Sequence, residues 1–269
     1  MTSQQKVVLI TGASSGIGQA TAELLAAKGF RVFGTSRNPI SHKHSFTLLP
    51  LDVRSDDSVD AAVQSLLAQT GRLDILVNNA GYVQFGAVEE SSIADAQAQF
   101  DTNLFGVIRM IKAVMPIMRQ QGSGHIINVS SIVGHIAPPY GGLYSASKFA
   151  LEGLSESLSA EVRQFGVSVS LIEPSYVNTP FVAQWPTTPI DDYTPGRQSA
   201  QQSLVTNAKK GLNASAVARV ILRAATSQPR LRYPVGVDGT IALMLQRVLP
   251  EAVFEAFKRR LFSGGKTAA

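Results

Sequence analysis

The segment Lys6–Lys28 constrains the fold more than any other part of this 269-residue chain. Lys6–Thr11 is a run of Val, Leu and Ile, as expected for a strand buried on both faces. The sequence TGASSGIG follows at 11–18, and a helical spacing of apolar residues begins inside it and ends before Gly29. Glycines allow a tight turn, and a helix N-terminus offers free N–H groups to an anion. The segment therefore predicts a strand–turn–helix unit that binds a diphosphate.

The next part of the chain alternates strand-like and helix-like segments. Strands separated by helices pair in parallel with right-handed crossovers, so we predict an α/β fold with a doubly wound parallel sheet and helices on both faces. Pro116 should bend or break the long helix that contains it. The predicted strands are Phe30–Ser36, Phe46–Leu51, Leu73–Asn78, His125–Ser130 and Val167–Glu173, and the predicted helices are Asp56–Gln69 (capped by Ser55, ended by Gly71), Ile93–Gln120 and Tyr144–Gln164.

The composition and periodicity of the sequence change after Pro174. Residues 175–212 carry four prolines and few periodic apolar positions, which predicts a lid insertion after the sixth strand. A helix at Ala214–Thr226 and an edge strand at Leu231–Pro234 follow, and residues 238–262 form a C-terminal helical extension. The length favours one domain over residues 1–269.

Tyr144 and Lys148 lie four residues apart on a predicted helix, so both side chains share one face. A free tyrosine has a pKa of about 10 and is a poor base at neutral pH. A nearby ammonium favours the phenolate and lowers that pKa, which suits a general acid or base. Such a pair alone is usually a solvated helix face, and the glycine-rich turn upstream is what favours the catalytic interpretation.

The glycine-rich turn and the Tyr144–Lys148 pair, with LD at 51–52, NNAG at 78–81, Asn103 and Ser131, together resemble the short-chain dehydrogenase/reductase family. The likeness runs from about Lys6 to Phe181, and the C-terminal part, including Arg232–Asp238, is more weakly similar to hydroxysteroid and retinol dehydrogenases. It implies a single-domain Rossmann fold and hydride transfer between a nicotinamide and a carbonyl or alcohol. The motifs are TGASSGIG at 11–18, LD at 51–52, NNAG at 78–81, Asn103, Ser131 and YSASK at 144–148.

The resemblance implies a catalytic tetrad of Asn103, Ser131, Tyr144 and Lys148. Tyr144 would exchange a proton with the substrate oxygen, and Lys148 would keep Tyr144 acidic and bind the nicotinamide ribose. Ser131 would orient the oxygen, and Asn103 would hold a water that links the lysine to solvent. Ser130 competes with Ser131, although the family interval to the tyrosine selects Ser131. Asn103 could instead be a buried amide paired with helix backbone.

The end of the second strand favours NADP(H) over NAD(H). The stretch Thr35-Ser36-Arg37 has no acidic residue to bind a ribose 2′-hydroxyl, whereas a guanidinium and a hydroxyl suit a 2′-phosphate. The alternative is a surface arginine without a cofactor role. Pro174-Ser175 departs from the family's Pro-Gly, which puts the fine cofactor geometry in doubt. The predicted cofactor contacts are Gly12, Ser14, Ser15, Gly16, Ile17, Gly18, Ser36, Arg37, Asp52, Val53, Asn79, Ala80, Gly81, Asn103, Tyr144, Lys148, Pro174, Val177 and Thr179.

The substrate residues expected beside the tetrad are mostly apolar or aromatic. They predict a hydrophobic ketone, aldehyde or secondary alcohol, as for a carbonyl reductase or a hydroxysteroid-dehydrogenase-like enzyme. The alternative function is an NADP(H)-binding regulator without turnover, whose usual mark, a missing Tyr or Lys, is not found here. No metal is expected, since Cys is absent and His42 and His44 lack further ligands. The predicted substrate contacts are Ser131, Val133, His135, Tyr140, Tyr144, Phe181 and Trp185.

Charge and hydropathy bear on partners and location. The net charge of +5 attracts anions, but no basic stripe with interleaved aromatics predicts nucleic-acid binding. The polar residues 1–5 do not resemble a signal peptide, and no apolar run reaches the ~20 residues of a membrane span, so we expect a cytoplasmic protein. For the C-terminal helix, packing against the lid or a partner subunit is favoured over peripheral membrane contact through Lys258, Arg259 and Arg260. The resemblance implies a homodimer or homotetramer formed through the two long helices.

Overall fold

The structure, a computed structural model, describes residues 5–39, 44–180 and 183–262, with side chains up to Lys258. Within these residues one seven-stranded parallel sheet has the order β3-β2-β1-β4-β5-β6-β7. The strand order reverses between β1 and β4, which is where ligands bind at the carboxyl ends of strands in such sheets. The doubly wound fold is therefore confirmed. The strands are β1 Val7–Ile10, β2 Arg31–Ser36, β3 Thr47–Pro50, β4 Ile75–Asn78, β5 Gly124–Val129, β6 Val167–Pro174 and β7 Arg232–Val235.

Both faces of the sheet are covered by helices. Along β1, Val7 and Leu9 pack into one hydrophobic cluster, and Val8 and Ile10 into another on the opposite face. This is why the strand is a continuous apolar run rather than an alternating one. The first cluster is completed by α2 Asp56–Thr70, α4 Gly106–Gln121 and α5 Gly142–Val162, and the second by α1 Gly16–Ala27 and α7 Ala214–Thr226.

The long helix before β5 is interrupted at a different place from the one expected. The break predicted at Pro116 is not found, because α4 continues through that residue, between the buried Val114 and Met118. Packing of the flanking apolar side chains holds the turn that lacks one N–H donor. The interruption is a π-helical turn, Asp101–Phe105, which follows α3 Ile93–Phe100. π-turns inside helices are frequent at functional sites, and this one carries Asn103.

The segment after β6 is more regular than its prolines indicated. It contains α6 Thr194–Lys210, in which no residue is buried, so no apolar stripe marked it in the sequence. Pro195 sits in the first helical turn, where a missing N–H costs nothing. Two short parallel pairs, Val83–Gln84 with Ala183–Gln184 and Val177–Asn178 with Leu212–Asn213, attach the segment to the rest.

The C-terminal extension is two helices, α8 Val237–Val248 and α9 Glu251–Phe262. They separate at Leu249, whose extended backbone is the conformation favoured before Pro250. Across the residues described, no helix combines the length and apolar character needed to cross a bilayer.

Candidate active site

The turn between β1 and α1 forms a cradle with bare backbone. Gly12 and Gly16 have φ of +66° and +56°, which an L side chain rarely adopts. A Cβ on Gly18 would collide with the Gly12 carbonyl oxygen and with the Asn79 amide. Ser15 makes no side-chain cap, and the first turn of α1 has no acidic residue, so its N–H groups face outward for an anion. The turn therefore fits the diphosphate of a dinucleotide.

The end of β4 braces this cradle. The Asn79 amide donates to the carbonyl oxygens of Thr11 and Gly12 at 3.0 and 2.9 Å, and the Thr11 hydroxyl accepts the N–H groups of Asn79 and Ala80 at 3.0 Å each. The Asn78 amide donates to Asn128 Oδ1 on β5 at 2.9 Å. Both asparagines therefore hold the end of β4 against its neighbouring strands.

Ser131, Tyr144 and Lys148 come together at the carboxyl ends of β5 and β6. The buried Tyr144 phenol lies next to Ser131, and Ser131 Oγ donates to the Pro174 carbonyl at 3.2 Å. Lys148 Nζ donates to the Val129 carbonyl at 2.8 Å and lies 5.9 Å from the Tyr144 ring centroid. Ser130 Oγ is buried and has no hydrogen-bond partner among the described residues, whereas Ser131 Oγ bonds the Pro174 carbonyl beside Tyr144, so the geometry favours Ser131 as the substrate contact.

The pKa values of this pair are set by burial. Burial raises the pKa of Tyr144 to about 12, and the hydrogen bond with Ser131 opposes it only partly. Burial lowers the pKa of Lys148 to about 8, and the Glu152 carboxylate opposes that change. The lowering of the Tyr144 pKa expected from Lys148 is therefore not seen, because desolvation of the phenolate is the larger effect. At pH 7 both groups are protonated, as a proton donor to a carbonyl oxygen requires.

Asn103 lies on the π-turn with its amide fully engaged. Its Oδ1 accepts the Tyr82 N–H at 3.1 Å, and its Nδ2 donates to the Tyr82 carbonyl at 3.0 Å and to Ser147 Oγ at 3.2 Å. Gly81 lies directly against it, since a Cβ there would be 3.1 Å from Asn103 Oδ1. Asn103 thus joins the loop after β4 to α5. The partners Tyr82 and Ser147 carry no sequence signal of their own.

Two arginines lie near Asp52, at the end of the cleft where the adenosine of a dinucleotide is expected. Arg54 donates to both carboxylate oxygens of Asp52, with Nε at 3.0 and 3.2 Å, and this lowers the pKa of Asp52 to about 2. Arg37 also acts on Asp52 through its charge, so it lies on the same side. Ser36 Oγ is engaged with the backbone of Asn38 at 3.3 Å. Arg54 is a cofactor candidate that the sequence reasoning missed, although it stands next to the predicted Val53.

The other side of the cleft carries Thr179, Val177 and the unusual Ser175. A Cβ on Gly16 would lie 3.4 Å from Thr179 Cβ, so Thr179 faces the cradle. Val177 is held by pairing with Leu212. The side chain of Ser175 occupies space left by Gly236 and Gly239, and its N–H donates to the Val235 carbonyl at 3.0 Å. The missing glycine after Pro174 is thus compensated by two glycines around β7 and α8.

The remaining substrate candidates divide into two groups. Trp185 stacks on Phe85 with ring centroids 5.3 Å apart, and the Tyr140 hydroxyl lies so close to Gly196 of α6 that a Cβ would not fit. Val133 donates its N–H to Ser131 Oγ at 3.3 Å. His135 lies elsewhere, in contact with Glu152 and Glu173, beside a cavity of about 400 Å³ that also borders Phe149 and Phe254. Phe181 lies outside the described residues.

The fold and the site define an oxidoreductase of the dinucleotide-binding α/β class. A family model described as short chain dehydrogenase matches residues 6–189. The chain belongs to the short-chain dehydrogenase/reductase family, as its motifs predicted.

Curated relatives agree with this assignment. A 3-ketodihydrosphingosine reductase from Bacteroides thetaiotaomicron is 47% identical over 178 residues, which are 66% of each chain. The uncharacterized oxidoreductase YbbO of Escherichia coli K12 is 36% identical over 257 residues, 93% of each chain.

Solved structures show the same fold. A short-chain dehydrogenase from Streptomyces avermitilis superposes with a TM-score of 0.81 at 33% identity, covering 99% of this chain and 100% of the other. A short-chain dehydrogenase/reductase from Burkholderia phymatum in complex with NAD gives 0.80 at 27% identity, covering 91% and 93%. A metagenomic short-chain oxidoreductase in complex with NADP gives 0.68 at 29% identity, covering 86% and 96%.

Proposed function

We propose that the protein is an NADP(H)-dependent reductase of hydrophobic carbonyl compounds, which also catalyses the reverse oxidation of the alcohols. The observation that carries the proposal is the Tyr144 phenol beside Ser131, with Lys148 one turn further along α5 and the glycine cradle at the same sheet edge. A regulator without turnover would have no use for this arrangement of donors.

The chain's own residues supply binding, orientation and the proton. When bound, the nicotinamide supplies or accepts a hydride, and the cradle and Thr179 would hold the cofactor. Ser131 donates a hydrogen bond to the substrate oxygen, and Tyr144 transfers its proton to that oxygen. The Lys148 ammonium stabilises the phenolate left behind and would hydrogen-bond the ribose hydroxyls of the bound cofactor. Asn103 fixes the loop after β4 against α5, on the side where the lysine would be reprotonated. In the oxidative direction Tyr144 accepts the proton instead.

The preference for NADP(H) rests on charge at the adenosine end. Arg37 and Arg54 stand there, and Asp52 is neutralised by Arg54 at 2.6 Å. Solved relatives hold NAD in one case and NADP in another, so the preference is a property of this chain to be measured. We expect Arg37→Ala to raise the KM for NADPH by about tenfold to a hundredfold, because a hydrogen bond to a charged group contributes about 1.5–3 kcal/mol. Arg31→Ala, an arginine at the opposite end of the same strand, is the matched control. An unchanged NADPH/NADH ratio in Arg37→Ala would overturn the preference.

The proposed substrate is a ketone, aldehyde or secondary alcohol with a large apolar part. The stacked pair Phe85–Trp185 and the aromatic ring of Tyr140 support this, since such side chains bind apolar groups. The printed name of the Bacteroides relative, a 3-ketodihydrosphingosine reductase, makes long-chain ketones the first compounds to test.

The decisive measurement is NADPH oxidation against carbonyls of increasing chain length, with Tyr144→Phe beside the wild type. We expect turnover that disappears in the variant, while NADPH binding measured by fluorescence is retained. If the wild type bound NADPH and reduced no carbonyl, the proposed function would be wrong and a regulatory role would lead.

Two structural features of the working enzyme are also proposed. Residues 175–212 act as the lid of a single domain, supported by the contacts of Trp185 and of Gly196 described above. A homo-oligomer forms through α4 and α5, supported by Phe149, which is 46% exposed on α5. Sedimentation equilibrium of the wild type and Phe149→Ser tests the second feature, which a monomeric wild type would contradict.

A further inference from the structure

Four charged side chains meet directly behind the catalytic residues. His135 lies on the turn that begins at Ser131, Glu152 on α5, Glu173 near the end of β6, and Arg232 at the start of β7. Both carboxylates are buried, with Glu152 5% and Glu173 1% exposed. We call this group the ionic cluster. Buried carboxylates need close partners, so their surroundings decide what they do.

Each carboxylate of the ionic cluster is shared by both cations. His135 Nε2 lies 3.2 Å from Glu173 Oε1 and 3.4 Å from Glu152 Oε2. Arg232 Nε donates to Glu152 Oε2 at 3.1 Å and lies 3.4 Å from Glu173 Oε1. The two acids raise the pKa of His135 to about 9, so its imidazole is charged at pH 7 and the four charges balance.

The side chains of His135, Glu152 and Glu173 are close enough together to bind a metal ion, and no other group of potential ligands among the described residues is. Here the guanidinium of Arg232 already faces both acids. A cation beside it would meet like charge at short range, which argues against a metal site.

Three members of the ionic cluster are adjacent in sequence to parts of the active site. His135 lies four residues after Ser131, Glu152 one helical turn after Lys148, and Glu173 immediately before Pro174, whose carbonyl accepts the Ser131 hydrogen bond. Gln246 of α8 donates to the His135 carbonyl at 2.9 Å, which fixes the turn from the other side. The cluster therefore joins the turn, the helix and the strand that carry the reacting groups.

We propose that His135, Glu152, Glu173 and Arg232 are positioning residues, which hold Ser131 in register with Tyr144 and Lys148. The proposal rests on the proposed function. Catalysis needs the reacting groups within a fraction of an ångström of their working positions, and buried charges held by close ion pairs resist displacement. Glu152 has a second effect, because its carboxylate is the charge on α5 that favours the protonated form of Lys148.

The test compares Glu152→Gln with Glu156→Gln. Both carboxylates bind Arg232, but Glu156 is 64% exposed and lies away from the turn, so it is the matched control. For Glu152→Gln we expect kcat to fall by about tenfold to a hundredfold, the range that a displacement of up to about 1 Å produces, with the KM for NADPH changed less than about threefold. The limb of the pH–kcat profile that reports Lys148 should also move to lower pH. The titratable groups that face Lys148 are Tyr144 and Glu152, and the Val129 carbonyl faces it from β5.

The possible results separate the two proposals. No carbonyl turnover by the wild type would overturn the proposed function and this role with it. Turnover by the wild type, with Glu152→Gln behaving like Glu156→Gln, would overturn the positioning role alone. Should Glu152→Gln fail to fold, His135→Gln, which retains a donor to one carboxylate, is measured in the same way. A kcat that is normal in His135→Gln, or that falls only together with NADPH binding and thermal stability, would also overturn it.

Discussion

Lys148 is expected to weaken the fold that it serves. Its side chain is 7% exposed, and burial lowers its pKa from 10.5 to about 8. At 1.36 kcal/mol per pKa unit, this difference corresponds to about 3 kcal/mol of destabilisation in the cofactor-free protein at pH 7. Replacing Lys148 with Met, which has a similar length and no charge, removes that cost but leaves the Val129 carbonyl without its donor. That loss costs about 1–2 kcal/mol, so a net gain of about 1–2 kcal/mol is expected.

The sign follows from proton linkage. The folded pKa lies below the unfolded one, so the cost is fully present below pH 8 and fades as the pH rises towards 10.5. Urea unfolding of the wild type and Lys148→Met at pH 7 and pH 9.5 measures the effect. The variant should be more stable at pH 7, the difference should shrink at pH 9.5, and carbonyl turnover should be lost. A variant less stable than the wild type at pH 7, or a gap that does not change with pH, would refute the reasoning.

Three further perturbations test other parts of the structure. Gly18→Ala should lower the free energy of unfolding by about 1–3 kcal/mol and abolish NADPH binding, because a Cβ there meets backbone. Gly153→Ala on α5, which has open space around it, should do neither. Calorimetry with and without NADPH measures both effects. Glu90→Gln should raise the KM for the carbonyl more than the KM for NADPH, because Glu90 pairs with Arg197 of α6 and accepts the Ile190 N–H at 2.9 Å. Equal changes in the two KM values, measured by steady-state kinetics, would contradict a lid role. Burial lowers the pKa of His125 to about 4, so the free energy of unfolding in urea should fall by up to about 3 kcal/mol between pH 6.5 and pH 4. His125→Asn should make that fall smaller. An equally steep fall in the variant would contradict the role of His125.

The sheet could be predicted from the sequence because its information is local. A strand buried on both faces, such as Val7–Ile10, is a short apolar run, and Ser55 and Gly71 mark the ends of α2 with a side-chain cap and a φ of +65°. Such signals depend on neighbouring residues only. Helix α6 was missed for the same reason, since no residue in it is buried and no apolar face can mark it.

The candidate catalytic residues were identified through their motifs, but their environment could not be predicted in this way. The expected effect of Lys148 on the Tyr144 pKa considered one pair of charges, and the burial that reverses it comes from residues far apart in the chain. The ionic cluster was invisible for a related reason. Its members span residues 135–232, and a lone histidine in a loop gives no hint of two acids from other elements.

The costs in this fold are concentrated around the reacting groups. Lys148 is buried with a lowered pKa, the Tyr144 phenol is buried beside it, and Tyr140, just before α5, is the non-glycine residue with positive φ among those described, at +61°. The π-turn at Asp101–Phe105 also departs from regular helix where Asn103 is needed. Strained and desolvated groups persist only where the surroundings fix them. Here the surroundings are the strands β4, β5 and β6 and the ionic cluster. The rigid carboxyl ends of these strands therefore hold Tyr144 and Lys148 in the buried state that the proposed chemistry uses.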